Sequence, residues 1–390
     1  MKHSTHTDVA IFMISLALML RQMSLSIVAP FIATYCTQLT GYTPMLAGMV
    51  LGIFGLMQAI LQTPFGMLSD KFGTKRILLI GLTITVAGLL LAYVATSIYT
   101  LIISRMLQGC GAIIGVGYSW IAGMAPDDKR AKTMGILSFM VSFGAMLSFI
   151  LGPLLRNYLA VNQIFLCCAI FIIMTELYIL FFTPSSGKPR ETTGRINGVA
   201  LRQFLADRPF MRLCSAAFIN NFMLTSILFI VPMHLQGLLK ETQLWIVFIP
   251  ALAVAILMIR LTVQAVNKGF SYRMMGFSFL LDTIGILCIM KVSLLSTMLG
   301  LALFAGGYAS NVTIISSKVN ELTPNASRGT ANGLFNAIQY LGNFIGPVLI
   351  GMLWDVSSIA TDIPLLCLGM IGIIMAHEEE KNHGNKRSYT

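Results

Sequence analysis

The sequence predicts an all-α membrane protein in which 12 transmembrane helices form two pseudo-repeated six-helix bundles. Composition, the spacing of apolar runs and an echo between the halves of the chain predict it. Of 390 residues, 56% are hydrophobic and only 11% charged, and the mean hydropathy is +0.81. A soluble domain carries roughly a quarter charged residues, because its surface must stay wet. With less than half that share, most of this surface has to face lipid. The 34 glycines fit the same reading, since small residues let membrane helices approach closely.

A span needs about 20 mostly apolar residues. Twelve stretches qualify: 8–35, 44–68, 77–97, 99–124, 132–156, 162–183, 210–237, 243–266, 272–292, 295–320, 328–353 and 358–376. The first is too long for a cleaved signal peptide, holds Arg21 in its middle and reaches Pro30 without a small-residue cleavage site. Residues 184–209 form the one long hydrophilic connection, Pro/Gly/Thr-rich and basic, with an amphipathic stretch from Val199 to Leu205. The expected organisation is therefore an N-terminal bundle over 1–183, a cytoplasmic linker over 184–209, a C-terminal bundle over 210–376 and a polar cytoplasmic tail over 377–390. At an offset of 198 residues the halves echo each other. Pro126 and Arg130, followed by Gly135 and Gly144, answer to Pro324 and Arg328, followed by Gly333 and Gly342. Gly152-Pro153 and Gly346-Pro347 follow in turn.

The net charge of +11 does not point to nucleic acid, because the basic residues are placed as a topology signal. Those within 71–76, 129–132, 188–212, 268–273, 328 and 381–387 all fall on one side, against Arg156, Lys240 and Lys291 on the other. Short loops rich in Lys and Arg stay cytoplasmic. Both termini are thus expected in the cytoplasm, and the chain in the inner (cytoplasmic) membrane. The seven cysteines show no metal-binding spacing and read as packing thiols. No phosphate-binding Gly-Lys-Ser/Thr loop, HExxH or GxSxG is present, so neither ATP-driven transport nor hydrolysis is indicated, and no cofactor is expected.

The most specific string is Gly66-Met67-Leu68-Ser69-Asp70-Lys71-Phe72-Gly73-Thr74-Lys75-Arg76, between the second and third spans. It resembles the signature loop of the major facilitator superfamily, with Lys71 where Arg is commoner. Gly73 permits a turn that a Cβ would obstruct. Asp70, a carboxylate at a helix end, is able to meet a neighbouring helix N-terminus or an arginine. The resemblance implies that this contact holds a cytoplasmic gate. Lys71, Lys75 and Arg76 also serve as topology determinants. The matching loop of the second half, Val266 to Arg273, has lost the acid. Arg105-Met106-Leu107-Gln108-Gly109 resembles the Arg-x-x-Gln-Gly pattern of twelve-span drug:proton antiporters. Gly144 with Gly152-Pro153 matches the antiporter signature of the fifth span in part, since Arg156-Asn157 stands where that pattern has a Gly-Gly pair. Nearly all of the first half, including Arg21 nine residues before Pro30, Gly55-Leu56-Met57-Gln58-Ala59, Pro64-Phe65-Gly66 and Val141-Ser142-Phe143-Gly144, resembles the YajR-like group of bacterial exporters; the second half resembles it weakly.

Charges inside spans are functional candidates because each costs a few kcal/mol in lipid. Arg21, Arg105 and Arg260 are the basic ones, with Lys318 near a span end; Glu176 and Asp282 are the acids. The resemblance implies a cavity lined by the first and fourth helices of each half and their repeats, with the third, sixth, ninth and twelfth spans outside. Glu176 and Asp282 then sit on outer helices. Proton carriers are sought among Glu176, Asp282, Asp8 and His234, although Asp8 also reads as a helix-start residue and His234 lies at a span end. Polar or aromatic cavity candidates are Gln58, Gln62, Gln108, Tyr118, Trp120, Asn220, Asn221, Asn311, Asn336, Gln339 and Tyr340. Any of them can instead bond one helix to another.

The resemblance implies a monomeric secondary transporter that exports small amphipathic molecules in exchange for protons. Taking the cationic cavity at face value gives an alternative: an anionic metabolite or siderophore held by Arg21, Arg105 and Arg260. A transport-dead sensor that kept the fold is the third reading.

Overall fold

The computed structural model describes residues 2–126, 129–183, 198–323 and 328–387. The described residues form helices and no strand, and 12 helices are long and apolar enough to cross a membrane.

The chain separates into two compact units, 1–42 with 53–195 and 43–52 with 196–390. The first contains α1 (Lys2–Ser26), α2 (Ile32–Cys36), most of α3 (Pro44–Phe72), α4 (Thr74–Tyr93), α5 (Ile98–Cys110), α6 (Ile114–Met124), α7 (Arg130–Leu155) and α8 (Val161–Phe182). The second contains α9 (Gly198–Ala206), α10 (Arg208–Leu235), α11 (Trp245–Asn267), α12 (Ser271–Ile289), α13 (Leu294–Leu322), α14 (Arg328–Trp354) and α15 (Ser358–Arg387). In unit 1, α1 packs on α7 and α8, and α4 on α5 and α8. In unit 2, α13 packs on both α11 and α12, α10 on α14, and α12 on α15. Large apolar side chains remain exposed on the outer faces, such as Phe139 at 67% and Phe181 at 72%, which suits helices surrounded by acyl chains.

The expected spans and the observed helices differ in four places. The first span stops at Ser26, and turns carry the chain through Pro30 into α2, because proline lacks the N–H that would continue the ladder. The fourth span, expected as continuous over 99–124, breaks between α5 and α6. Gly111 leaves the helix there with ψ 48, pressed so closely on Gly81 and Thr85 of α4 that a Cβ would overlap them. Ala112 and Ile113 close the break with tight bonds to Cys110 O and Gly111 O, both 2.8 Å. Residues 377–387, expected as tail, continue α15 as helix. Finally, residues 43–52 group with unit 2, where Gly48 and Gly52 bring backbone directly against Pro347 and Phe344.

Candidate functional site

Two buried polar centres stand out, one in each unit. In unit 1, Arg21 of α1 and Arg105 of α5 are 0% and 1% exposed. Oriented by the network, the amide oxygen of Gln58 on α3 accepts from Arg21 Nη2 at 2.7 Å and Nη1 at 3.0 Å. Arg105 Nη1 donates to Gln108 Oε1 at 2.6 Å, and Nη2 to the carbonyl of Leu25 on α1 at 3.3 Å. Its guanidinium also lies 4.7 Å from the ring centre of Phe54 on α3. Gln108 Nε2 donates to Ser104 Oγ at 3.1 Å, and Ser104 Oγ to the Gly88 carbonyl of α4 at 2.8 Å. The chain of bonds thus links α1, α3, α4 and α5. Arg21, Gln58, Arg105 and Gln108, expected as cavity residues, come together here as a buried cluster.

In unit 2 the centre is acidic. Asp282 of α12 is 0% exposed and accepts from Asn311 Nδ2 of α13 at 3.1 Å. Gly307, one turn earlier on α13, leaves the room it occupies, since a Cβ would collide with Asp282 Oδ1. Asp282 forms no ion pair among the described residues; the Tyr308 backbone N–H lies within reach of its carboxylate, but neither Asp282 Oδ1 nor Asn311 Oδ1 meets a donor in full hydrogen-bond geometry. From α13 the polar line continues to α10, where Asn220 Nδ2 donates to the Tyr308 carbonyl at 3.4 Å. Towards α11, Thr262 Oγ1 donates to Ser310 Oγ at 2.8 Å. Asp282 lies on α12 and meets α13, the helix that bonds α10 and α11.

The other candidates lie apart. Glu176 is half-buried between α4 and α8 and accepts from Thr83 Oγ1 at 2.5 Å. His234 packs its ring 5.4 Å from that of Trp354, its Nδ1 buried without a hydrogen bond. Arg260 is exposed on α11. Asn221 donates to its own helix at Ala217 O, 2.9 Å, and Tyr118 OH to Ser138 Oγ of α7, 3.2 Å. Gln339 Nε2 donates to Asn336 Oδ1 at 2.9 Å along α14, near a half-buried Tyr340. Gln62 is half-buried and Trp120 buried. Asp8 lies in α1, but its side chain is outside those described. Sequence reading overlooked Asp362 near the start of α15, 5% exposed beside Thr361, because it lies at the edge of a span.

The signature loop is built as its glycine requires. Gly73 turns the chain with φ 91, and Gly269 does so with φ 82 in unit 2. Lys75 donates to the carbonyls of Leu180 and Thr183, 3.0 and 2.6 Å away, and so caps the C-terminus of α8. Asp70 is half-buried and makes no hydrogen bond to a described residue. Lys71 lies over the Phe72 ring, Arg76 is exposed, and Gly66 has open space where its Cβ would be.

Twelve apolar helices with buried charged centres define a polytopic membrane transport protein. The sequence profile of the Major Facilitator Superfamily matches residues 14–347, and the chain belongs to that family. It is 26% identical over 345 residues to the inner membrane transport protein YajR of Escherichia coli, covering 85% of this chain and 74% of that one. It is 22% identical over 343 residues to the multi-drug resistance efflux pump PmrA of Streptococcus pneumoniae, covering 83% and 84%. Its fold is similar to the crystal structure of a bacterial homolog of the human lysosomal transporter Spinster, in an inward-facing and occupied conformation. There the TM-score is 0.78 at 15% identity, over 96% and 97% of the chains. The protein is a multi-pass transporter and not an enzyme.

Proposed function

We propose that this transporter exports small amphipathic organic compounds in exchange for protons, by alternating access of its two halves, and that Asp282 carries the coupling proton. The observation that carries this reading is the Asp282–Asn311 pair. An ionised carboxylate only accepts, and here its Oδ1 and the Asn311 Oδ1 are two buried acceptors that no donor meets in full hydrogen-bond geometry. One proton on Asp282 supplies the missing donor, and its loss forces the pair to rearrange. Because Asn311 lies on α13, the fourth helix of its half, and α13 also bonds α10, the first, a change at Asp282 reaches the two helices of this half that the family resemblance places beside the substrate. The similarity to a multi-drug resistance efflux pump supports the substrate class and the direction. The distribution of Lys and Arg supports an orientation with both termini cytoplasmic, and the family resemblance supports a monomer in the inner membrane. Asp70 remains the proposed gate residue.

The anionic alternative loses support from the geometry of its arginines. Arg21 and Arg105 are buried and already held by Gln58, Gln108 and the Leu25 carbonyl, which leaves Arg260, exposed on α11, to bind the anion.

The test is proton movement in proteoliposomes loaded with a pH dye, on addition of lipophilic cations and then of organic anions. Wild-type protein is expected to respond to cations. Asp282→Asn, which keeps the shape and adds the missing donor, is expected to lose proton movement while still exchanging substrate for substrate. Wild-type proton flux in that variant sinks the assignment of Asp282. A response to anions alone overturns the efflux reading.

A further inference from the structure

A cavity of about 380 Å³ opens where the end of α11, the Gly269 turn, the start of α12 and the last turns of α13 meet. That volume is at the lower end of small-ligand sites. By the parity of spans it lies on the same side of the membrane as the N-terminus. Its walls carry Asn267, Lys268, Ser271, Tyr272, Lys318 and Glu321.

The turn disposes of one helix end and leaves the other open. The carbonyls ending α11 are satisfied, since Gly269 N donates to Val266 O at 3.0 Å and Phe270 N to Ala265 O at 2.9 Å. Helix α12 begins at Ser271, has 19 residues and receives no side-chain cap from Phe270. Its first N–H groups therefore keep the partial positive charge of a helix start. Ser271 is only 3% exposed, and its hydroxyl lines the cavity without a hydrogen-bond partner among the described residues. Lys268 is exposed at the mouth and forms no ion pair with a described residue. Lys318, whose side chain is 12% exposed, pairs with Glu321 at 2.7 Å and lies 5.7 Å from the Tyr272 ring centre. Glu321 is thus matched by Lys318, which leaves Lys268, a buried hydroxyl and an uncapped helix start facing one space.

We propose that this cavity binds a phosphate-bearing anion. Phosphate oxygens accept from backbone N–H groups, a hydroxyl and an ammonium at once, which is the donor set present. The phosphate can belong to a soluble ion or to a lipid headgroup, and the experiment separates them.

Full-length protein in detergent is titrated with inorganic phosphate while its melting temperature is followed, with chloride at equal ionic strength as control. In parallel, native mass spectra compare retention of phosphatidylglycerol with that of phosphatidylcholine. The same is done for Ser271→Ala and for Lys268→Gln, the latter exposed enough to leave folding intact. Saturable stabilisation by phosphate, weakened about tenfold in each variant, supports a soluble ligand. Selective retention of phosphatidylglycerol, lost in the variants, supports a lipid headgroup. No saturable effect of either probe overturns the proposal, as does unchanged binding in both variants or equal stabilisation by chloride.

Discussion

The two units bury opposite chemistry. Unit 1 encloses two guanidinium groups, and unit 2 one carboxyl group, each at 0 or 1% exposure. The difference lies in what each group can do once buried. A guanidinium is a fork of five donors that stays charged, so neutral oxygens can hold it with no proton gained or lost. Arg105 does this with Gln108 and the Leu25 carbonyl, and Arg21 with Gln58. A carboxyl group changes from acceptor to donor on taking one proton. Of the two centres, only that of Asp282 can change its bonding in this way. Unit 1 is riveted; unit 2 holds the group to which the proposed coupling is assigned.

The sharpest way to break this comparison is Arg105→Ala. It leaves Gln108 Oε1 and the Leu25 carbonyl buried without their donor and empties the space over Phe54. Each orphaned acceptor costs about 1–3 kcal/mol, so a loss of roughly 3 kcal/mol or more is expected. Thermal unfolding in detergent measures it. A variant that melts like wild type yet no longer transports would make Arg105 a substrate or coupling residue, and the contrast between the units would collapse. Asp282→Asn should show the converse pattern, with stability changed by less than about 1 kcal/mol and proton movement lost.

Gly307→Ala sharpens the contrast from the other side. A Cβ there overlaps both Asp282 Oδ1 and the Ser278 carbonyl, so α12 and α13 must part or the carboxyl must turn away. Overpacking of this kind costs about 1–3 kcal/mol. Proton coupling should fall together with the melting temperature. Normal coupling in a destabilised variant would separate the carboxyl's position from its role.

Much of this was legible in the sequence, and the reasons are physical. Span number follows from apolar length, which lipid enforces strictly, so all 12 helices appear where expected to within a few residues except at their ends. The breaks were less legible. Pro30 announces the end of α1, whereas the interruption at Gly111 depends on α4 pressing against it, a contact that no local pattern encodes. The arginine cluster was readable as four separate residues and unreadable as a cluster, because helix rotation decides whether a polar side chain faces outwards or its neighbours. Asp282 was readable as costly; its partner on α13 was not, since the two are 29 residues apart. The continuation of α15 past 376 was hidden for a related reason. Its Glu378 and Glu379 meet Arg212 of α10, at 3.4 and 2.5 Å, and Glu380 meets Arg273 of α12. Those pairs come from other helices.

The smallest expected effects compare the two Gly turns. After Gly73, Lys75 inserts its ammonium among the last carbonyls of α8; after Gly269, Arg273 reaches Glu380 on α15 and lies over Phe270. Both cations fasten the turn to the last span of their own unit, one to a helix end and the other to a side chain. Lys75→Gln should cost about 0.5–1 kcal/mol, because carbonyls at a helix C-terminus lose a charged donor. Arg273→Gln should cost less, since its side chain is 68% exposed and water screens such pairs. Melting temperatures at low and high salt distinguish them. The Arg273 contribution is expected to vanish in salt while that of Lys75 largely persists, because Lys75 is half-buried. Equal salt sensitivity would mean that the Lys75 ammonium is held by charge alone. The capping bonds would then contribute nothing, and the two turns would be fastened by the same physics.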